Sequence, residues 1–372
     1  YDKSEVALQR ALAIARHEFD PDDYRIGNAL GHLGMLRWQS GDLAAAAPLL
    51  EEQRRLVERA LGPQHPRMGT LLNNLALVAN DMGNLAEAEP LYRQALAIKR
   101  QADGRSSPTV AATLSNLASV LLDLGRLDEA WDLWQEAAEI CRATVGAESR
   151  YAATIQLYLA GVDHRRGRME AAEPRMLEAR QTLERVMGEQ SWLVARALSR
   201  TAELYLDMDR LGPAEQLERQ AIAICDRAEA GEGQEDLAAA LHALGRILIR
   251  SGRLDEARQQ LDRSRAVLEL DRTRNPGPFV NVRIAQVGAT LGELHLLQGD
   301  ADRAHAAFAE SLRLLESNPE GSIGAAHREV AATCLLRLGR LDEARQVAQA
   351  LLALGWRRPP FVAVCRELGL NA

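Results

Sequence analysis

Lysine is nearly missing from this 372-residue chain: Lys3 and Lys99 are the only two, against 43 arginines. Positive charge is therefore carried by guanidinium groups, the form that pairs best with carboxylates, although GC-rich coding would produce the same bias. Aromatic residues are also scarce, 4% of the chain against 47% hydrophobic residues. The interior must then be built from Leu and Ala, a palette that suits close helix-to-helix contact. The four cysteines, Cys141, Cys225, Cys334 and Cys365, lie far apart in apolar helix-period stretches. That spacing argues against a disulfide framework and for buried thiols in a reducing compartment. No run approaches the ~20 continuous apolar residues that span a bilayer, and no signal peptide opens the chain, so membrane insertion is not expected and a cytoplasmic location is. Residue 1 is Tyr rather than Met, which leads us to expect a preceding segment. With net charge −7, a pI near 5.7 and no basic tail, nucleic acid is not expected as the main partner.

The usual chemical signatures are missing as well. There is no Gly-rich loop ending in Lys-Ser/Thr, no His-Glu-x-x-His, no Cys-x-x-Cys and no Gly-x-Ser-x-Gly elbow. Gly231-Glu232-Gly233 is acidic and lies between repeats, which is wrong for cradling phosphate. His65, in Gly-Pro-Gln-His-Pro, reads as a helix cap, and His164, His242 and His327 lack a Cys or acidic partner at ligand spacing. We expect no catalytic residue, no metal and no cofactor.

What is present is a repeat. Turn residues recur at Gly41, Gly83, Gly125, Gly167, Asp209, Gly252, Gly299 and Gly339, spaced by 42, 42, 42, 42, 43, 47 and 40 residues. A period of this size marks stacked supersecondary units, each too small to bury its own apolar face. Helix-period stretches flank each turn, so every unit is a helical hairpin, and Gly or Asp at the turn supplies the left-handed conformation that ends a helix. Seven residues before the turn stand Gly34, Ala76, Ala118, Ala160, Ala202, Gly245, Gly292 and Ala332; five after it stand Ala46, Ala88, Ala130, Ala172, Ala214, Ala257, Ala304 and Ala344. Helices approach to ~8 Å only where facing side chains are small, so these columns mark the helix crossing. Leu50, Tyr92, Trp134, Met176 and Phe308, nine after the turn, read as core.

These columns resemble the tetratricopeptide repeat, and the resemblance covers nearly the whole chain. The 42-residue length, Leu72-Asn73-Asn74-Leu75-Ala76, Leu61-Gly62-Pro63-Gln64-His65-Pro66 and Ala86-Glu87-Ala88-Glu89-Pro90-Leu91-Tyr92 look like its kinesin-light-chain type. The resemblance implies an all-α right-handed superhelical solenoid of antiparallel hairpins whose first helices line a concave face. Residues 1–20 are then the second helix of a truncated leading repeat, 21–356 hold eight hairpins and 357–372 form a capping helix. Asp271 to Pro278 carries two prolines and a glycine, so 271–279 is expected as a loop or a break in the array. Ala228 to Glu235 reads as a loop by composition.

The sixth position of each unit reads His32, Asn74, Asn116, Tyr158, Arg200, Ala243, Thr290 and Val330. In the family, Asn there commonly pairs with the backbone of an extended peptide, since a carboxamide offers donor and acceptor together. That implies a peptide site at Asn74 and Asn116, with Asn73, Asn80, Asp81, Ser115, Ser119 and Asp123 around it. A second candidate, for an acidic ligand, is the arginine band Arg165, Arg196, Arg200, Arg246 and Arg250, with Glu203 and Asp207 interleaved as neutralising charges. The two-lysine clamp that some members use for a terminal carboxylate is not reproduced, because no lysine falls on this face. The expected function is a protein- or peptide-binding scaffold or sensor. Two alternatives stand beside it: the regulatory C-terminal region of a larger bacterial signalling enzyme, such as a serine/threonine protein kinase or caspase-like protease, and a self-associating scaffold.

Overall fold

The computed structural model describes residues 2–227, 234–274, 276–319 and 324–371, without the side chains of residues 2, 3 and 274. Residues 228–233, most of the stretch expected as a loop and all of Gly231-Glu232-Gly233, therefore lie outside the described residues, as does Asn275. Among the described residues there are eighteen helices and no strand. They are α1 (Asp2–Glu18), α2 (Tyr24–Gln39), α3 (Leu43–Leu61), α4 (Pro66–Asp81), α5 (Leu85–Ala102), α6 (Pro108–Asp123), α7 (Leu127–Thr144), α8 (Arg150–Arg165) and α9 (Met169–Met187). The chain continues with α10 (Trp192–Asp207), α11 (Leu211–Cys225), α12 (Gln234–Arg250), α13 (Leu254–Arg274), α14 (Pro278–Leu297), α15 (Ala301–Glu316), α16 (Ala325–Arg337), α17 (Leu341–Ala353) and α18 (Pro359–Glu367). Even-numbered α2 to α16 are first helices, and within each unit α2, α4, α8, α10, α12, α14 and α16 pack on the helix that follows their turn.

Helix ends follow local chemistry. Asp23, Ser149 and Ser191 cap α2, α8 and α10 by accepting from backbone N–H groups two or three residues on. His65 does the same for α4, its Nδ1 accepting from Arg67 N at 3.3 Å. At the hairpin turns Gly83 has φ of 75° and Asp209 has 60°, the one non-glycine residue with positive φ among those described.

The helix crossings lie at the two small-residue columns. A Cβ on Gly245 would stand 2.6 Å from Leu261, and one on Gly292 would stand 2.7 Å from the Phe308 ring. Both partners are nine residues beyond their turns, and both are buried. The small residue is thus the socket for the large one.

The chain divides into two compact units, Tyr1–Leu121 and Leu122–Ala372. The first has a core around Leu50, Met68, Leu71 and Ile98, with a smaller cluster in which Leu12 and Ala15 of α1 pack on Ile26 and Leu30. The second has one long core from Ala153 through Met176, Leu198, Leu241 and Leu261 to Leu294. The division does not fall at 271–279. That segment, expected as a loop or break, is mostly helical: α13 runs on to Arg274 and α14 starts at Pro278. Proline is tolerated there because it occupies the first position of α14, where no intrahelical N–H bond is lost. The extra residues have lengthened the two helices instead of looping out.

In the second unit the chain end turns inward. Backbone N of Arg357 donates to the Arg165 carbonyl at 2.7 Å, and Trp356 donates through Nε1 to Glu329 at 2.9 Å. The segment before α18 therefore reaches α8 and α10, well beyond the last hairpin.

Candidate functional site

The first unit carries the asparagine site. Asn74 on α4 and Asn116 on α6 are both partly exposed, and Asn74 has no hydrogen-bond partner among the described residues. Asn73, expected as a contact residue, is instead buried: its Oδ1 accepts from Thr113 Oγ1 at 3.1 Å and, more weakly, from Asn116 Nδ2 at 3.4 Å. Asn73 belongs to the floor of the site because its side chain points along the α4–α6 seam. Lys99 enters that floor from α5, donating to Thr113 Oγ1 at 2.8 Å while itself buried. A long side chain from a second helix thus reaches the seam between first helices without joining their exposed face. Burial lowers the Lys99 pKa, with Asp103 opposing the shift.

The neighbours divide similarly. Asn80 donates to Asp81 at 3.2 Å, and Asp81 accepts from Trp38 Nε1 at 2.6 Å, so Asp81 ties one hairpin to the previous one. Ser119 donates to the Ser115 carbonyl within α6. Ser115 stays partly exposed. Asp123 falls in the second unit, where burial raises its pKa to about 6 although Arg165, Arg200 and Arg283 oppose the shift.

In the second unit the five-arginine band is not one site. Arg196 makes a two-pronged pair with Asp236 at 2.9 and 3.0 Å, Arg250 pairs with Asp209 at 2.7 Å, and Arg246 lies 3.6 Å from Asp207 and 4.0 Å from Glu203. Those three are neutralised internally. Arg165 and Arg200 have no ion-pair partner among the described residues. Each instead faces an aromatic ring: Arg200 over Tyr158 at 5.7 Å, Arg165 over Trp356 at 5.5 Å. Tyr158 is in turn stacked on Trp134, 5.1 Å between centroids. Burial first, then Arg200 and Arg358, lowers the Arg165 pKa to about 10.

Beside them is an acid-centred knot that sequence reading did not find. Asp207, with its side chain 2% exposed, meets His164 Nε2 at 2.8 Å and Arg358 at 3.3 Å. Burial alone would raise the Asp207 pKa, but Arg358, His164 and Arg246 outweigh it and hold the carboxylate below its usual range. His164 had been read as lacking an acidic partner, because Asp207 lies 43 residues away, one repeat on, where no local motif would register it. His242 bonds Thr290 across the same spacing rule, and burial brings its pKa down to about 3. Among the described residues no three His, Cys, Asp or Glu side chains converge as a metal site.

Tetratricopeptide-repeat profiles match residues 25–101 and 151–227, 110–151, 238–263 and 290–359. Together they cover well over half of the chain, which belongs to the tetratricopeptide-repeat family. No curated protein matches it in sequence. Among solved structures, a Rap protein complexed with Competence and Sporulation Factor is 12% identical, with 98% of this chain and 99% of that one covered and a TM-score of 0.58. The apo form of the quorum sensor NprR from B. thuringiensis is 14% identical over 95% and 94%, with a TM-score of 0.58. The Rap conjugation gene regulator of the plasmid pLS20, in complex with the Phr* peptide, is 14% identical over 79% and 73%, with a TM-score of 0.60. At these identities the likeness is one of fold. No described helix is long and apolar enough to cross a membrane.

Proposed function

We propose that this chain is a peptide- or protein-binding repeat module without catalytic activity of its own, and that it binds through the face built from its first helices. The observation that carries the reading is the pair Asn74 and Asn116. Both are partly exposed amides at the same position of successive units, 42 residues apart, and Asn74 has no hydrogen-bond partner among the described residues while Asn116 makes one long contact. A carboxamide so placed can donate to a peptide carbonyl and accept from a peptide N–H at once. The buried Asn73–Thr113–Lys99 floor supports it by fixing the seam between α4 and α6. Solved structures with this fold include one holding the Phr* peptide, which supports the same use of the fold here. In this reading the module acts in the bacterial cytoplasm as the sensing or docking part of a signalling system.

The test begins with a peptide selected from a random library against the full chain. Converting Asn74 and Asn116 together to Ala should weaken its binding by about 1–3 kcal/mol, because a lost amide pair strands polar peptide groups. Equal affinity for the double variant and the wild type would overturn the assignment.

A further inference from the structure

Resting on the reading of the first-helix face as a peptide-binding surface, we infer that Arg165 and Arg200 form an oxyanion clamp in the second unit, taking a carboxylate or phosphate group carried by a peptide. Of the five arginines on this face, three are satisfied by Asp236, Asp209, Asp207 and Glu203. The remaining two converge on one point. A Cβ placed on Gly161 would lie 3.2 Å from Arg165 Nη1 and 3.5 Å from Arg200 Nη1. Because residue 161 is glycine, no side chain stands between the two Nη1 atoms, and both can turn toward one anion.

Each of the two guanidinium groups lies against an aromatic ring instead of a carboxylate, so its N–H donors keep capacity for an oxyanion. Tyr158, itself stacked on Trp134, backs Arg200, and Trp356 backs Arg165. A cation–π contact uses up none of a guanidinium's N–H donors, and a free pair of donors can grip a carboxylate or phosphate with two parallel bonds. Arg165 spends one donor on the Gly161 carbonyl at 3.1 Å, and its buried Nε has no partner. Two like charges held together away from full solvent, with Asp123 and Glu203 beyond pairing distance and Arg283 and Arg358 adding to the field, are an unfavourable arrangement that a bound anion relieves.

Inorganic phosphate is the first probe, titrated into the full chain at constant ionic strength while thermal unfolding is followed. A saturable rise in Tm is expected. Arg165→Gln and Arg200→Gln should each weaken the apparent affinity about tenfold or more, the scale of a lost charged hydrogen bond. Arg250→Gln, which touches only the Asp209 pair, should leave it unchanged. Gly161→Ala guards against misfolding: it keeps both arginines, adds helix propensity and crowds the two Nη1 atoms with a methyl group, so it should weaken the phosphate effect while the fold persists. No saturable shift, or a shift that Gly161→Ala and Arg200→Gln leave unchanged, would overturn the clamp. Three peptides of one sequence, bearing phosphoserine, glutamate or only a free C-terminal carboxylate, then distinguish the sources of the anion. Phosphate binding with none of the three peptides bound would support the clamp and remove the peptide reading of this face.

Discussion

Nine residues after the turn, six of the eight hairpins place a large apolar side chain; the eighth has Ala348, and the fifth has Glu218, which is fully buried. Its Oε1 accepts from Ser199 Oγ at 2.9 Å and its Oε2 has no partner. Burial pushes its pKa well above the usual value, which favours the protonated acid in the folded state. For a group whose folded pKa is raised above its unfolded value, stability is complete below the unfolded value, near 4.5, and is lost as pH rises through the folded one. Glu218→Met should flatten that loss and raise stability at pH 8, where the wild type must bury or neutralise a charge. Urea unfolding at pH 5 and pH 8 checks it; an unchanged pH slope would contradict the assignment. In the turn column the exception is Asp209, a non-glycine residue at φ 60°. Asp209→Gly should stabilise by about 1 kcal/mol by removing left-handed strain, since the exposed Arg250 pair it gives up contributes little. A lower thermal midpoint would show that the pair outweighs the strain.

At the scale of the hairpin, packing is a contest between helix propensity and the crossing. Gly292→Ala gains up to about 1 kcal/mol of propensity, yet the new Cβ would stand 2.7 Å from the Phe308 ring, a rigid group that cannot give way by bond rotation alone. The variant should be destabilised despite the propensity gain. Phe308→Leu in the same chain should recover part of the loss, giving a non-additive cycle of about 0.5–3 kcal/mol. Strict additivity in chemical denaturation would mean that the two residues do not share a socket. This level of structure was legible in sequence because a crossing needs a small residue at a fixed distance from a turn. Helix length was less legible: Pro276 and Pro278 look like breakers, and only the structure reveals Pro278 at the first position of α14. Asn73 is misplaced for a related reason, since a column says which face a Cα occupies and not where a side chain ends.

Across the second unit the contact that sequence spacing could not reveal is the return of the chain end. Arg358 meets Asp207 from 151 residues away, with Asp207 nearly inaccessible and Arg358 17% exposed. Removing one partner of a buried pair leaves the other charge uncompensated, so Arg358→Ala should cost about 3 kcal/mol, the lower end for such pairs because Arg358 keeps some solvent contact. The Asp207 pKa is depressed, so the pair's stabilisation is present above the ordinary carboxylate value and lost as pH falls through the depressed one. The gap between Arg358→Ala and the wild type should accordingly be constant from pH 6 to 8 and narrow in strong acid; a gap that widens on acidification would contradict the pairing. Repeat arithmetic cannot anticipate this contact because it joins units far outside nearest-neighbour range.

The central claim, that this family member binds through its first helices, is tested most directly by hydrogen exchange of the full chain with and without a library-selected peptide. The account predicts slowed exchange on first helices, strongest on α4 and α6 around Asn74 and Asn116, with α3 and α5 unchanged. Protection confined to second helices or to inter-repeat loops would contradict it.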